Sequence, residues 1–201
     1  MTAGDIAEAR IASLGITETS MLDVEAIAWE AGMKVIYEEL HGCDATLVGY
    51  GDKAIATVRR TVPGRERFSV GHELGHWELH RGQSFKCRVD DPSTNLASDR
   101  VKEKVADSYS AHLLMPSFLF NPVIKNYKYP GFSELRNVAG EFKATPLATA
   151  IRLVDVNRLP AIVACYTRDK MRWHARASDI PKRWWLHQEV ARFVRTGLGV
   201  S

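Results

Sequence analysis

Residues 67–80 read "RFSVGHELGHWELH", Arg67 through His80, and they contain His72-Glu73-Leu74-Gly75-His76, an H-E-x-x-H pattern. Residues four apart on a helix lie on one face, one turn apart, so His72 and His76 can reach the same metal ion. Glu73 follows the first histidine directly, which sets a carboxylate beside a metal-bound water. Zinc lowers the pKa of such a water towards neutrality, and the carboxylate takes its proton as it attacks a peptide carbonyl. A site of this kind needs a third protein ligand, and the five residues cannot supply it. Nor does an H-E-x-x-H-x-x-G-x-x-H extension, because position 79 is leucine and position 82 is glycine.

The alternative plan takes a glutamate from the following helix, and "EKVAD", Glu103 to Asp107, fits it. Glu103 and Asp107 are four apart and share a helix face. Glu103 can complete the metal shell, while Asp107 can accept a hydrogen bond from the far ring nitrogen of a ligand histidine and so fix its orientation. Taken alone, Glu103 would read as a solvated charge between Lys102 and Lys104. The upstream pair of histidines turns the choice towards a ligand.

The remainder of the chain is that of an ordinary globular protein. Its 201 residues are 45% apolar and 25% charged, enough to bury a sizeable core, and the net charge of +3 is too small to argue for nucleic acid. Cys43, Cys87 and Cys165 are scattered and odd in number, which supports neither a disulfide framework nor a cysteine zinc cage and favours a reducing, cytoplasmic setting. "MTAGDIAEARIASLG" is a mildly amphipathic helix with acidic residues and not a signal peptide. No apolar run reaches the about 18 residues that would span a bilayer.

Local patterns predict helices over residues 5–13 and 24–31, the second capped by Asp23 and ended by Gly32. "MKVIYEE" reads as a strand, and "ATLVGY" and "KAIATVRR" as a hairpin turning at Gly51-Asp52. Helical pattern runs from Arg65 to about His80, and again from Ser98 to Met115, where Pro116 stops it. "DDPSTN", Asp90 to Asn95, is a turn-rich loop between the two. Beyond it, "FSELRNVAGEFK" and "TPLATAIRLVDV" read as helices, the latter opening on Thr145-Pro146. "AIVACYT" and "MRWHARA" form a second hairpin, and "PKRWWLHQEVARFVR" a closing helix. The fold class is α+β. The expected division is a metallopeptidase core with N-terminal helices at 1–120 and a C-terminal helical and hairpin region at 121–201, packed on that core.

Together, "RERFSVGHELGHWELH" and "EKVADSYSAHLLMP" resemble the ImmA/IrrE family of zinc metallopeptidases. The family pattern is an Arg-x-Arg-Phe approach, the H-E-x-x-H helix, a spacer, then Glu-x-x-Ala-Asn/Asp-x-Phe-Ala and Leu-Leu-Met-Pro. This chain keeps Arg65, Arg67, Phe68, Glu103, Ala106, Asp107 and Leu113 to Pro116, and departs at Tyr109 and Ser110, where Phe-Ala is usual. The likeness covers about residues 20 to 120 and weakens beyond Phe120. It implies a zincin-like core of the gluzincin type in the cytoplasm, with zinc, or manganese in its place, held by His72, His76 and Glu103. Glu73 would be the catalytic base, and Asp107 would orient a ligand histidine from outside the metal shell. The implied substrate is a protein, a helix-turn-helix transcriptional repressor in stress or mobile-element regulation.

Several features stay open at the level of sequence. Zincin-like folds place a substrate-holding edge strand just before the motif helix, and "KAIATVRR" occupies that position. His112, His174 and Tyr109 are each candidates to stabilise an oxyanion, without a choice among them. His80 continues the motif face, but reads as a polar group at a helix end. Trp77 and the pair Trp184-Trp185 read as packing residues. The segment Phe132 to Val156 reads as a helix-turn-helix, yet its second helix offers only Arg152 and then Arg158, which favours packing or substrate docking over DNA binding. Lys182, Arg183, Arg192 and Arg195 make the closing helix basic, as a solvated face or a protein contact. Two other functions fit the same chain: a regulator that binds a repressor or DNA without hydrolysis, and a toxin–antitoxin component.

Overall fold

The computed structural model describes residues 1–81, 85–87, 97–127, 130–157, 160–166, 171–181 and 183–184. The chain is α+β and divides into two compact units, Met1–Thr149 and Ala150–Ser201. Among the described residues, no helix is long and apolar enough to cross a membrane.

The first unit opens with α1 (Ala3–Ser13), where Thr2 and Asp5 form a reciprocal capping box that satisfies two otherwise orphaned N–H groups. Helix α2 (Val24–Glu30) follows, with the Asp23 carboxylate accepting from the Ala26 N–H. Gly32 ends that turn at φ +83°, and a Cβ there would lie 2.6 Å from the Asp52 carbonyl oxygen, so the position demands glycine twice over. Strands β1 (Met33–Glu38), β2 (Ala45–Tyr50) and β3 (Lys53–Arg59) come next, then α3 (Pro63–Leu79), the short β4 (Phe85–Cys87) and α4 (Ala97–Leu114).

The four strands form one sheet in the order β1-β3-β2-β4, with β1 parallel to β3 and the other pairs antiparallel. "KAIATVRR" is therefore not an edge. Strand β3 is bonded along its whole length to β1 on one side and β2 on the other, and among the described residues the edges are β1 and β4. Period-two alternation explains how the sheet meets α3. Ala45 and Leu47 of β2 and Ala54, Ala56 and Val58 of β3 are buried, and both strands pack on that helix. The opposite row, with Val48, Tyr50 and Ile55, is exposed. Small side chains on the buried row let α3 lie close, and Gly49 is the tightest point: a Cβ there would sit 2.7 Å from the Trp77 ring. Trp77 is buried as expected, its indole N–H donating to the Ala31 carbonyl at 2.8 Å.

Helix α3 starts with Pro63 in its first turn, where the missing N–H costs nothing, and is buried continuously from Val70 to Trp77. Its partner along that stretch is α4. Helix α1 in turn packs on α4. The Glu8 carboxylate accepts from His112 Nδ1 at 2.9 Å and from the Ser117 N–H and hydroxyl at 3.0 and 2.7 Å. Pro116 stops α4 and caps a further helix, α5 (Ser117–Ile124), which carries no clear signal in the sequence because Pro122 lies inside it. Helices α6 (Phe132–Glu141) and α7 (Pro146–Asp155) follow, the second with its Thr145 hydroxyl accepting from the Ala148 N–H at 3.1 Å.

In the second unit, strands β5 (Ile162–Tyr166) and β6 (Met171–Arg176) pair antiparallel, and Val154, Ala177 and Ile180 form a small buried cluster beside them. Trp184, read as a core or domain-packing residue, is 58% exposed and so is not part of the core. The segment Asp90–Asn95 read as a loop, Trp185, and most of the residues expected to form a closing helix lie outside the described residues.

Candidate metal centre

Helices α3 and α4 bring three of the expected residues to one point. His72 and His76 project from successive turns of α3, with their Nε2 atoms 3.1 Å apart. Glu103, near the start of α4, sets one carboxylate oxygen 3.2 Å from His72 Nε2 and the other 3.3 Å from His76 Nε2. Each residue offers one ligand atom, and these lie within 4.8 Å of one another. Tetrahedral zinc with bonds of 2.0–2.1 Å requires ligand atoms about 3.3 Å apart. The donors are spaced on that scale, with a different Glu103 oxygen facing each histidine.

The far nitrogens of the two rings are also engaged. His72 Nδ1 is 2.9 Å from Asp107 Oδ1, one turn beyond Glu103 on α4. A carboxylate can only accept here, so His72 Nδ1 carries a proton and Nε2 is the nitrogen turned towards the donor cluster. His76 Nδ1 is 3.2 Å from Nδ1 of His80. Glu73, between the two ligand turns, is completely buried on α3.

The charges suit a cation. Burial acts to raise the Glu103 pKa, but hydrogen bonds and charge from His72 and His76 outweigh it and hold the carboxyl down at about 2. Burial lowers the His76 pKa, and the neighbouring His72 charge adds to that, against the opposing pull of Glu103. An ionised carboxylate with a neutral imidazole is the protonation state that a divalent ion demands of such ligands. The His76–Glu103 contact is thus better described as two donors facing one point than as an ion pair between opposite charges.

Two glycines govern how close the helices come. A Cβ at Gly71 would lie 2.6 Å from the Ser110 hydroxyl oxygen, and one at Gly75 would lie 3.0 Å from Tyr109 Cβ and 3.2 Å from Ala106 Cα. Ser110 is buried and donates to the Phe68 carbonyl at 2.8 Å, tying α4 to the turn of α3 that precedes His72. The two positions that depart from the family pattern, Tyr109 and Ser110, are therefore the ones packed against these glycines.

Two other sequence candidates in the first unit are committed to other partners. The Tyr109 hydroxyl donates to Glu78 at 3.1 Å, and Glu78 is also bonded to Arg10 of α1, so this phenol joins three helices. His112 is bonded to Glu8, and His174 is exposed on β6 in the second unit. Sequence reasoning did not assign a role to His80 at the site; its i+4 spacing from His76 was the available signal.

Residues 28–154 match the profile of a peptidase family described as the IrrE N-terminal-like domain. No curated protein matches the chain. A solved structure, a Mycobacterium tuberculosis transcriptional regulator, is similar in fold with a TM-score of 0.61 over 89% of this chain, at 14% identity. The chain covers 56% of that protein, a little over half its length.

Proposed function

This chain belongs to the IrrE N-terminal-like peptidase family, and from that premise we propose that it is a zinc-dependent endopeptidase acting on a protein substrate. The observation that carries the reading is the convergence of His72 Nε2, His76 Nε2 and the Glu103 carboxylate at 3.1–3.3 Å. These three would hold the ion, with manganese as the alternative to zinc. The bound metal would supply Lewis acidity, acidifying a water and polarising the scissile carbonyl.

The protein's own groups do the rest. Asp107 keeps the proton of His72 on Nδ1, so that Nε2 stays available as a ligand. Glu73 accepts the proton released as water adds to the carbonyl carbon, and delivers it to the amide nitrogen as the C–N bond breaks. The products are a new carboxyl and a new amine, with the carboxylate restored. Burial of Glu73 shields that transfer from bulk solvent.

For the substrate we propose a helix-turn-helix transcriptional repressor, the partner implied by the motif resemblance; the structural neighbour, itself a transcriptional regulator, is in keeping with it. DNA binding is not favoured. Arg152 is the sole basic residue of α7, and it is buried and bonded to Asp155 at 2.6 Å, so that helix has no basic face to offer phosphates. The test is incubation of the metal-loaded chain with a helix-turn-helix repressor from a neighbouring gene, followed by mass spectrometry of the fragments. Glu73→Gln should retain the metal while cleavage falls by about 10²- to 10⁴-fold, the usual contribution of a general base. Cleavage unchanged in that variant, or a purified chain that takes up no divalent metal, would overturn the proposal.

A further inference from the structure

We infer that His80 is a positioning residue for the metal site, holding His76 in the tautomer that carries its proton on Nδ1 and turns the Nε2 lone pair towards a metal. The inference rests on the metal-centre reading above and extends it to a residue outside the ligand set.

Each ligand histidine has two nitrogens, and when Nε2 binds a metal the other must carry a proton and find an acceptor. For His72 that acceptor is the Asp107 carboxylate on α4. For His76 the partner is His80 Nδ1 at 3.2 Å, an imidazole at the C-cap of the same helix. Two Nδ1 atoms in contact cannot both donate or both accept. With His76 Nδ1 as donor, His80 must accept at Nδ1 and keep its own proton on Nε2. The two histidines are thereby locked into opposite tautomers by one bond.

The backbone explains how His80 comes to sit there. It caps α3 at φ −134° and ψ 39°, outside helical values, while its N–H still bonds the His76 carbonyl at 2.9 Å. Ring centroids are 5.3 Å apart and inclined at 45°. His80 Nδ1 meets the edge of His76 away from the donor cluster, and His80 is not a member of the group His72, His76 and Glu103 that could share one ion. It therefore acts through His76 and not as a fourth ligand.

The test uses the full chain and reads metal affinity by competition with a chromophoric chelator, together with the visible absorption of the cobalt-substituted protein. His80→Ala should weaken zinc binding by about 10- to 100-fold, the usual effect of losing a ligand's outer partner, and alter the cobalt spectrum. His80→Asn places its amide oxygen where Nδ1 stood and should bind within a few-fold of the parent. His80→Gln carries its acceptor one bond further out and should resemble the alanine variant, which keeps the comparison available should His80→Ala fail to fold. Equal affinity in parent and His80→Ala, or an equal loss in Asn and Gln variants, would overturn the inference while leaving the metal centre intact. A parent chain that binds neither zinc nor cobalt would instead sink the metal-centre reading, and this inference with it.

Discussion

Tyr109 illustrates what a single residue type can and cannot reveal. A tyrosine six residues beyond an expected ligand on the same helix is chemically able to stabilise an oxyanion, and nothing in the sequence excludes that. The fold commits its hydroxyl to Glu78 inside a fully buried setting. Burial, and then the charge of Glu78, push the phenol well above its ordinary pKa of 10.0. A group whose folded pKa is raised stabilises fully below the unfolded value and loses that contribution as pH rises past it, because the unfolded chain sheds the proton first. Stability should therefore decline above pH 10, by up to about 1.4 kcal/mol per pH unit from this group. Tyr109→Phe should cost about 1–2 kcal/mol at neutral pH, and the gap from the parent should narrow in urea unfolding at pH 11. Parallel pH profiles for the two proteins would refute the assignment. By contrast, His72, Glu73 and His76 were legible at once, since one turn of helix fixes their mutual geometry whatever surrounds it. Glu103 was legible only as a partner on a second helix, and the contact of His80 with His76 depends on how the helix ends, which the residue pattern does not encode.

At the scale of elements, the metal centre depends on the distance between α3 and α4. Gly71 sits one residue before His72, and Ser110 lies two turns beyond Glu103, so any widening at their contact is carried to the donors. Gly71→Ala would drive a methyl group to 2.6 Å from the Ser110 hydroxyl oxygen. Overpacking of this kind costs about 1–3 kcal/mol, and here it should also lower metal affinity by moving Glu103 from the histidines. Ser110→Gly removes the obstructing atoms, leaving Ser110 Cα at 3.4 Å, an ordinary contact. The double variant should bind metal more tightly than Gly71→Ala alone, measured by the same chelator competition. If the second change deepens the defect, the helix spacing is set elsewhere. The elements themselves were mostly legible: capping at Thr145, the stop at Pro116 and the alternation in β2 and β3 are local signals. The order of strands was not. A strand bonded on both sides and an edge strand can carry the same alternation, so the pattern of β3 suits a substrate edge as well as the place it holds between β1 and β2.

For the molecule as a whole, the donor set ties together residues some thirty positions apart in sequence, and that has a consequence for folding. The unfolded chain cannot hold His72, His76 and Glu103 at 3.1–3.3 Å, so a metal bound by them binds the folded state preferentially and stabilises it by mass action. Zinc at a hundred times its dissociation constant should add about 2.7 kcal/mol, a rise in Tm of roughly 5–10 °C for a unit of this size. A chelator should reverse the shift, and His76→Ala should abolish the response to metal. The second unit, Ala150–Ser201, contains none of these donors, so hydrogen exchange offers a sharper form of the experiment. Protection gained on adding metal should concentrate in α3 and α4, the helices that carry the donors. Uniform gain across the chain would mean that zinc acts by a general effect and not through this centre. No gain at all would mean that the three side chains do not hold an ion in solution.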